Sequence, residues 1–113
     1  MVLEFTCKRF EIDEVLKCSF GLNKTEFLIL KKLLSREKKV GELSSELGKD
    51  KSTIQRSLQK MLNKGIVKRS QRNLKNGGYV FYYKSINKQL IKEHINKLFE
   101  NFRRIVNKTI NEW

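Results

Sequence analysis

Apolar residues recur along this chain at two different spacings, and the change of spacing orders its elements. Phe10, Ile12, Val15, Leu16 and Phe20 fall roughly at helical intervals and predict a first helix over residues 6–20, closed by Gly21. Phe27, Leu28, Leu30, Leu33 and Leu34 form a second helical face, with Asn23 or Thr25 as its cap. Val40, Leu43 and Leu47 mark two turns of a short third helix, and Gly48 supplies the left-handed residue that commonly ends one. A fourth helix, capped by Asp50 or Ser52, carries Ile54, Leu58, Met61 and Leu62 on one stripe and ends near Gly65. The period then shortens. Residues 66–71 and 79–83 are rich in β-branched or aromatic side chains and read as strands, with Asn76-Gly77 as a hairpin signal between them. Residues 87–113 return to helical spacing as one long helix, with apolar residues from Leu90 to Trp113 mostly three or four apart.

The predicted architecture is therefore mainly α with a small β-hairpin. It is a single domain over residues 1–113, with an N-terminal helix at 6–20, a core at 24–86 and a C-terminal helix at 87–113. A short helix meeting a second through a tight glycine turn is a helix-turn-helix, and the hairpin after it is a wing. A helix of this kind fits the major groove of duplex DNA, where Arg can be bidentate to guanine and Gln or Asn to adenine.

Charge sharpens this picture. The 113 residues carry 25 Lys and Arg against 12 Asp and Glu, a net +13. Residues 1–35 hold six basic and five acidic side chains, and residues 86–113 six and three, whereas residues 36–85 hold thirteen and four. No acidic residue lies between Asp50 and Glu93, a stretch with eleven Lys or Arg. A one-signed run on the predicted turn, helix and wing attracts a polyanion. The absence of Ala and Pro and the abundance of Lys (18) and Asn (9) read as a codon bias instead.

The same residues carry a family resemblance. Glu42-Leu43, the turn glycine Gly48, Ser52-Thr53-Ile54 at a helix start, and the exit from Leu62 through Gly65 to Val67 resemble archaeal and bacterial winged helix-turn-helix regulators of the TrmB-like and MarR-like families. The hairpin from Gly77 to Tyr83 resembles their wing and return strand, and the likeness spans residues 24–86. It implies a transcriptional regulator that binds duplex DNA sequence-specifically as a homodimer. TrmB proteins proper add a sugar-binding domain, for which this length leaves no room, so no small-molecule effector domain is expected.

On this reading Ser52, Thr53, Gln55, Arg56, Gln59 and Lys60 form the recognition set, and Lys68, Arg69, Arg72 and Lys75 serve the wing. The stripe Leu98, Phe99, Phe102, Ile105, Val106, Ile110 and Trp113 is too wide for one body to cover. One seam is expected to pack on the chain itself and the other on a second copy. Such dimers set their recognition helices about 34 Å apart, one turn of DNA. A nonspecific architectural DNA binder, or a winged-helix module for RNA or protein, are the alternatives.

Other chemistry has little support in the sequence. Cys7 and Cys18, both on the predicted first helix, would share a face about 16 Å apart, beyond the roughly 7 Å that a disulfide spans. They read as buried or partly buried thiols, with redox sensing through an intersubunit bond as the sharper alternative. Two cysteines and the distant His94 make no zinc site, and no nucleophile accompanies His94, so neither enzyme, metal nor cofactor is expected. The longest apolar run, Phe27–Leu30, is far short of the roughly 20 residues that cross a bilayer. The first residues lack the basic-then-apolar order of a signal peptide, which points to the cytoplasm.

Overall fold

The computed structural model describes residues 2–113. It begins with a hairpin that the periodicity did not predict. β1 (Val2–Glu4) pairs antiparallel with β2 (Arg9–Glu11), and only then does α1 (Ile12–Phe20) start. The predicted helix over residues 6–20 is thus nine residues long, and its first half belongs to a turn and a strand. The turn is closed by Phe5 N–H to the Lys8 carbonyl at 2.8 Å, and the Phe5 and Phe10 rings meet edge to face at 5.9 Å. Phe10 and Ile12 fit a period of two as well as a helical one. The partner strand at residues 2–4 decides between them.

α2 (Lys24–Ser35) starts where the sequence places it. Asn23 Oδ1 accepts from Glu26 N–H at 2.8 Å, and Glu26 Oε1 accepts from Asn23 N–H at 3.0 Å. This reciprocal pair satisfies two of the amides that a helix start leaves open. α3 (Val40–Leu47) ends at Gly48, whose φ of 62° turns the chain into α4 (Lys51–Asn63). Of the two caps considered for α4, Asp50 takes the flanking position and Ser52 lies inside the first turn.

Ile29, Leu30 and Leu33 of α2, Leu43 of α3, and Ile54, Leu58 and Met61 of α4 form the core, closed by Ile66, Val67 and Tyr83. Ile29, absent from the predicted stripe, is completely buried, because α2 is covered on more than one side. β3 (Val67–Asn73) and β4 (Tyr79–Ser85) pair antiparallel from Val67–Ser85 to Asn73–Tyr79. Lys38 joins β4 as a one-residue third strand, exchanging two 2.9 Å backbone hydrogen bonds with Tyr83. The hairpin tip is not the two-residue Asn-Gly turn. Gly77 N–H bonds the Leu74 carbonyl at 3.2 Å, and the left-handed residues are Gly77 and Gly78. That is a three-residue loop with a left-handed closing residue.

α5 (Lys88–Glu112) is capped by Asn87, whose Oδ1 accepts from Gln89 N–H at 2.7 Å. Only its beginning packs on the body. Ile91 is buried, and His94 stacks on Phe20 of α1 at 4.3 Å. Beyond Ile95 the helix runs free of the core, which gives extents of 65 × 23 × 22 Å. The seam expected to pack on the body is therefore not formed beyond Ile95. Leu98, Phe99, Phe102, Ile105, Ile110 and Trp113 are all exposed in the single chain, and Val106 is half-buried.

Candidate nucleic-acid interface

α4 is held by Ile54, Leu58 and Met61, all completely buried, and this fixes its outward side. Ser52, Gln55, Arg56, Gln59 and Lys60 are exposed, and Thr53 is half-buried. A residue missing from the predicted set organises the first turn. The Asp50 carboxylate accepts from the Ser52 hydroxyl at 2.6 Å and from the Thr53 hydroxyl at 2.5 Å. Those hydroxyls hold its carboxyl below the ordinary carboxylate range. With their protons committed to Asp50, the Ser52 and Thr53 hydroxyls can serve any further partner only as acceptors, Ser52 from an exposed position. An acidic residue at a helix start reads as a cap in the sequence, so nothing there marks it for this second role. Arg56 extends from its own turn, with Nη2 3.5 Å from Thr53 Oγ1. Gln59 donates to Asn63 Oδ1 at 3.3 Å.

The wing cations separate by strand alternation. Arg69 lies opposite Tyr83 and shares the face of Phe81 and Tyr79, which looks toward α3 and α4. Its guanidinium sits 4.3 Å from the Phe81 ring. Arg72 is on the opposite face, 4.0 Å from the Tyr82 ring, and is ion-paired to Glu37. That pair, beside Tyr82, raises the Arg72 pKa above its ordinary value. Lys75 stands exposed in the tip loop, whereas Lys68 pairs across from Lys84 at the base of the hairpin, about 20 Å away along the strand.

Two other cations, Lys64 in the basic stretch and Lys38 before it, are structural. Lys64 Nζ reaches the buried Glu26 carboxylate at 3.1 Å and the Gly21 carbonyl at 2.6 Å. Lys38, just upstream, is buried and paired to Glu46 at 2.9 Å, which holds Glu46 below the ordinary range. Arg36 does the same to Glu42 at 2.7 Å, and Glu42 also accepts from Lys39 N–H at 3.1 Å at the start of α3. The acidic side chains of α3 are thus occupied by nearby cations.

A family model described as the sugar-specific transcriptional regulator TrmB matches residues 16–89, from α1 through the wing. The chain belongs to the TrmB family. It is a winged helix-turn-helix transcriptional regulator, as the resemblance of its turn, helix and wing implied. This TrmB-family chain is 35% identical to a possible transcriptional regulator from Methanosarcina mazei, whose structure superposes with a TM-score of 0.86 over 100% of this chain and 97% of that one. It is 30% identical to an uncharacterised protein of Methanocaldococcus jannaschii, over 100% of this chain and 78% of that one. A homodimeric winged helix-turn-helix DNA-binding domain from Mycobacterium bovis, 18% identical, shares the fold with a TM-score of 0.53 over 84% of this chain and 78% of its own.

Both cysteines of the TrmB-family chain are free and exposed, which corrects the expectation of buried thiols. Cys7 lies in the turn between β1 and β2 and Cys18 on α1, so the shared helical face does not exist. His94 Nε2 lies 3.3 Å from the Ser19 carbonyl and ties α5 to the end of α1. Among the described residues no group of three or more His, Cys, Asp or Glu is placed to hold a metal ion, and no helix is long and apolar enough to cross a membrane.

Proposed function

We propose that this regulator binds duplex DNA sequence-specifically as a homodimer. α4 would lie in the major groove and the hairpin tip against the neighbouring minor groove or backbone. One observation carries the reading. Packing of Ile54, Leu58 and Met61 turns Ser52, Arg56, Gln59 and Lys60 outward together, on the segment of the chain that bears most of the net positive charge. Arg56 is the guanine reader and Gln59 an adenine reader, while Ser52 and Thr53, engaged by Asp50, accept from base amino groups. Lys60, Arg69 and Lys75 are phosphate contacts, and Arg72 and Lys68 are secondary ones. The second copy docks on the uncovered face of α5 through Leu98, Phe99, Phe102, Ile105, Val106, Ile110 and Trp113. Phe99, Phe102, Val106 and Trp113 repeat at steps of three, four and seven, the spacing of a helix-to-helix seam.

Titration of duplex DNA at several salt concentrations tests this. A dimer neutralising roughly 6–10 phosphates gives a slope of log K on log salt near −5 to −9. No binding to any duplex at low salt ends the reading. Equal affinity for all sequences favours the architectural alternative, and preference for RNA or a protein favours an interaction module. Arg56→Ala is expected to lose about 1–3 kcal/mol on a preferred site and to relax the preference there. An unchanged preference, measured by selection from a random duplex pool, would demote Arg56 to a phosphate contact.

A further inference from the structure

Between α4 and the wing runs a groove of about 380 Å³ whose lining, apart from Gln55, lies outside the recognition and wing sets. Lys51 and Gln55 line it from α4, Lys39 from the start of α3, and Tyr79 and Phe81 from β4. Two features set it apart from an ordinary crevice. Its wall is aromatic and open: the Tyr79 and Phe81 rings meet edge to face at 5.2 Å, and Tyr79 is 58% exposed. Its charged lining is cationic, since Lys51 and Lys39 border it and no carboxylate joins them, with the Lys39 ammonium 5.9 Å from the ring of Tyr82, next to Phe81 on β4. Arg69, over the Phe81 ring, adds a third cation beside it. The nearest acidic residues turn elsewhere: Asp50 to Ser52 and Thr53, Glu42 to Arg36, and Glu37 to Arg72.

The geometry points to one occupant, the sugar–phosphate backbone of a single strand of the bound duplex. A strand carries anionic phosphates and apolar sugars, and the groove offers lysines from its helical side and aromatic rings from its β4 wall. Its position also fits. The strand dividing a major groove filled by α4 from the minor groove under the wing must pass between those two elements. The inference rests on the DNA-binding reading above and deepens it. It assigns Lys39, Lys51 and Tyr79 as backbone contacts, and it moves Gln55 from base reading to backbone holding, since Gln55 faces the groove while Arg56 lies on the next stripe.

The test measures duplex affinity against salt for four variants and a control. Lys39→Gln and Lys51→Gln are each expected to flatten the salt slope by about 1.8, one phosphate in each of two half-sites. Tyr79→Ala and Gln55→Ala are expected to weaken binding by roughly tenfold with the salt slope unchanged. All four keep the sequence preference of the wild type, because a backbone carries no sequence information. Lys108→Gln, far out on α5, keeps the wild-type slope. Circular dichroism confirms that each variant is folded. Wild-type slope and affinity in the four groove variants overturn the groove assignment while leaving the DNA-binding reading intact. A Gln55→Ala variant with altered preference returns Gln55 to the bases and overturns its assignment here. A wild-type protein that binds no duplex sinks the reading beneath and this inference with it.

Discussion

Phe102→Glu is expected to leave the protein folded but monomeric at micromolar concentration. In the single chain Phe102 is 61% exposed, on a part of α5 that runs clear of the core. Its replacement therefore removes almost nothing from the fold of one subunit. In the dimer proposed above the same position lies in the middle of the seam between Phe99 and Val106, where a carboxylate without a partner would lose its water. Each large side chain buried there contributes about 1.5–3 kcal/mol, and an unpaired charge opposes several of them at once. DNA affinity should fall by about a hundredfold or more, because two linked half-site contacts become one. Sedimentation and thermal melting check both sides of this. A variant that still sediments as a dimer places the interface elsewhere, and one that fails to fold shows that α5 packs on its own body after all.

Lys64→Ala should show the opposite pattern: loss of stability with DNA binding unchanged. Glu26 keeps only 2% of its side chain exposed and is paired with Lys64, which is 31% exposed. Removing the cation leaves a buried carboxylate with the Asn23 amide as its remaining contact. Breaking a fully buried pair costs roughly 3–5 kcal/mol, and the partial exposure of Lys64 reduces this to about 2 kcal/mol. For a chain of this size that lowers the melting temperature by on the order of 10 °C. Combining Glu26→Gln with Lys64→Met should recover most of the loss, since no charge is then left buried. Against duplex DNA the salt slope of Lys64→Ala should match the wild type. A flatter slope would return Lys64 to the interface.

Lys64 also shows how far counting charges reaches. In the sequence it is one of eleven cations in an uninterrupted basic run. In the fold it is the clamp between the end of α4 and the start of α2. Arg72 is similar, drawn to Glu37 from 35 residues upstream. Neither partner could be read from local spacing, because both pairs join segments that only the packed core brings together. Conversely Asp50, an ordinary cap in the sequence, acquires significance through the two hydroxyls it engages. The first helix failed for a related reason. Its apolar positions suited two periods, and the strand that settles the matter is formed by residues 2–4 across a turn.

The order of elements from α2 onward, the glycine turn at Gly48, the buried stripe of α4 and the length of α5 were all legible in the sequence. Each depends on side-chain periodicity and on residues that tolerate only certain backbone angles, properties the local chain carries with it. The family likeness rested on those same local signals. Tertiary structure alone decided which cations face outward, that Gln55 and Arg56 point to different surroundings, and that an aromatic, lysine-lined groove opens between α4 and the wing. It also decided that α5 leaves the body with its apolar face uncovered. These follow from distant segments meeting in three dimensions, where burial and pairing are set by neighbours that no sequence window contains.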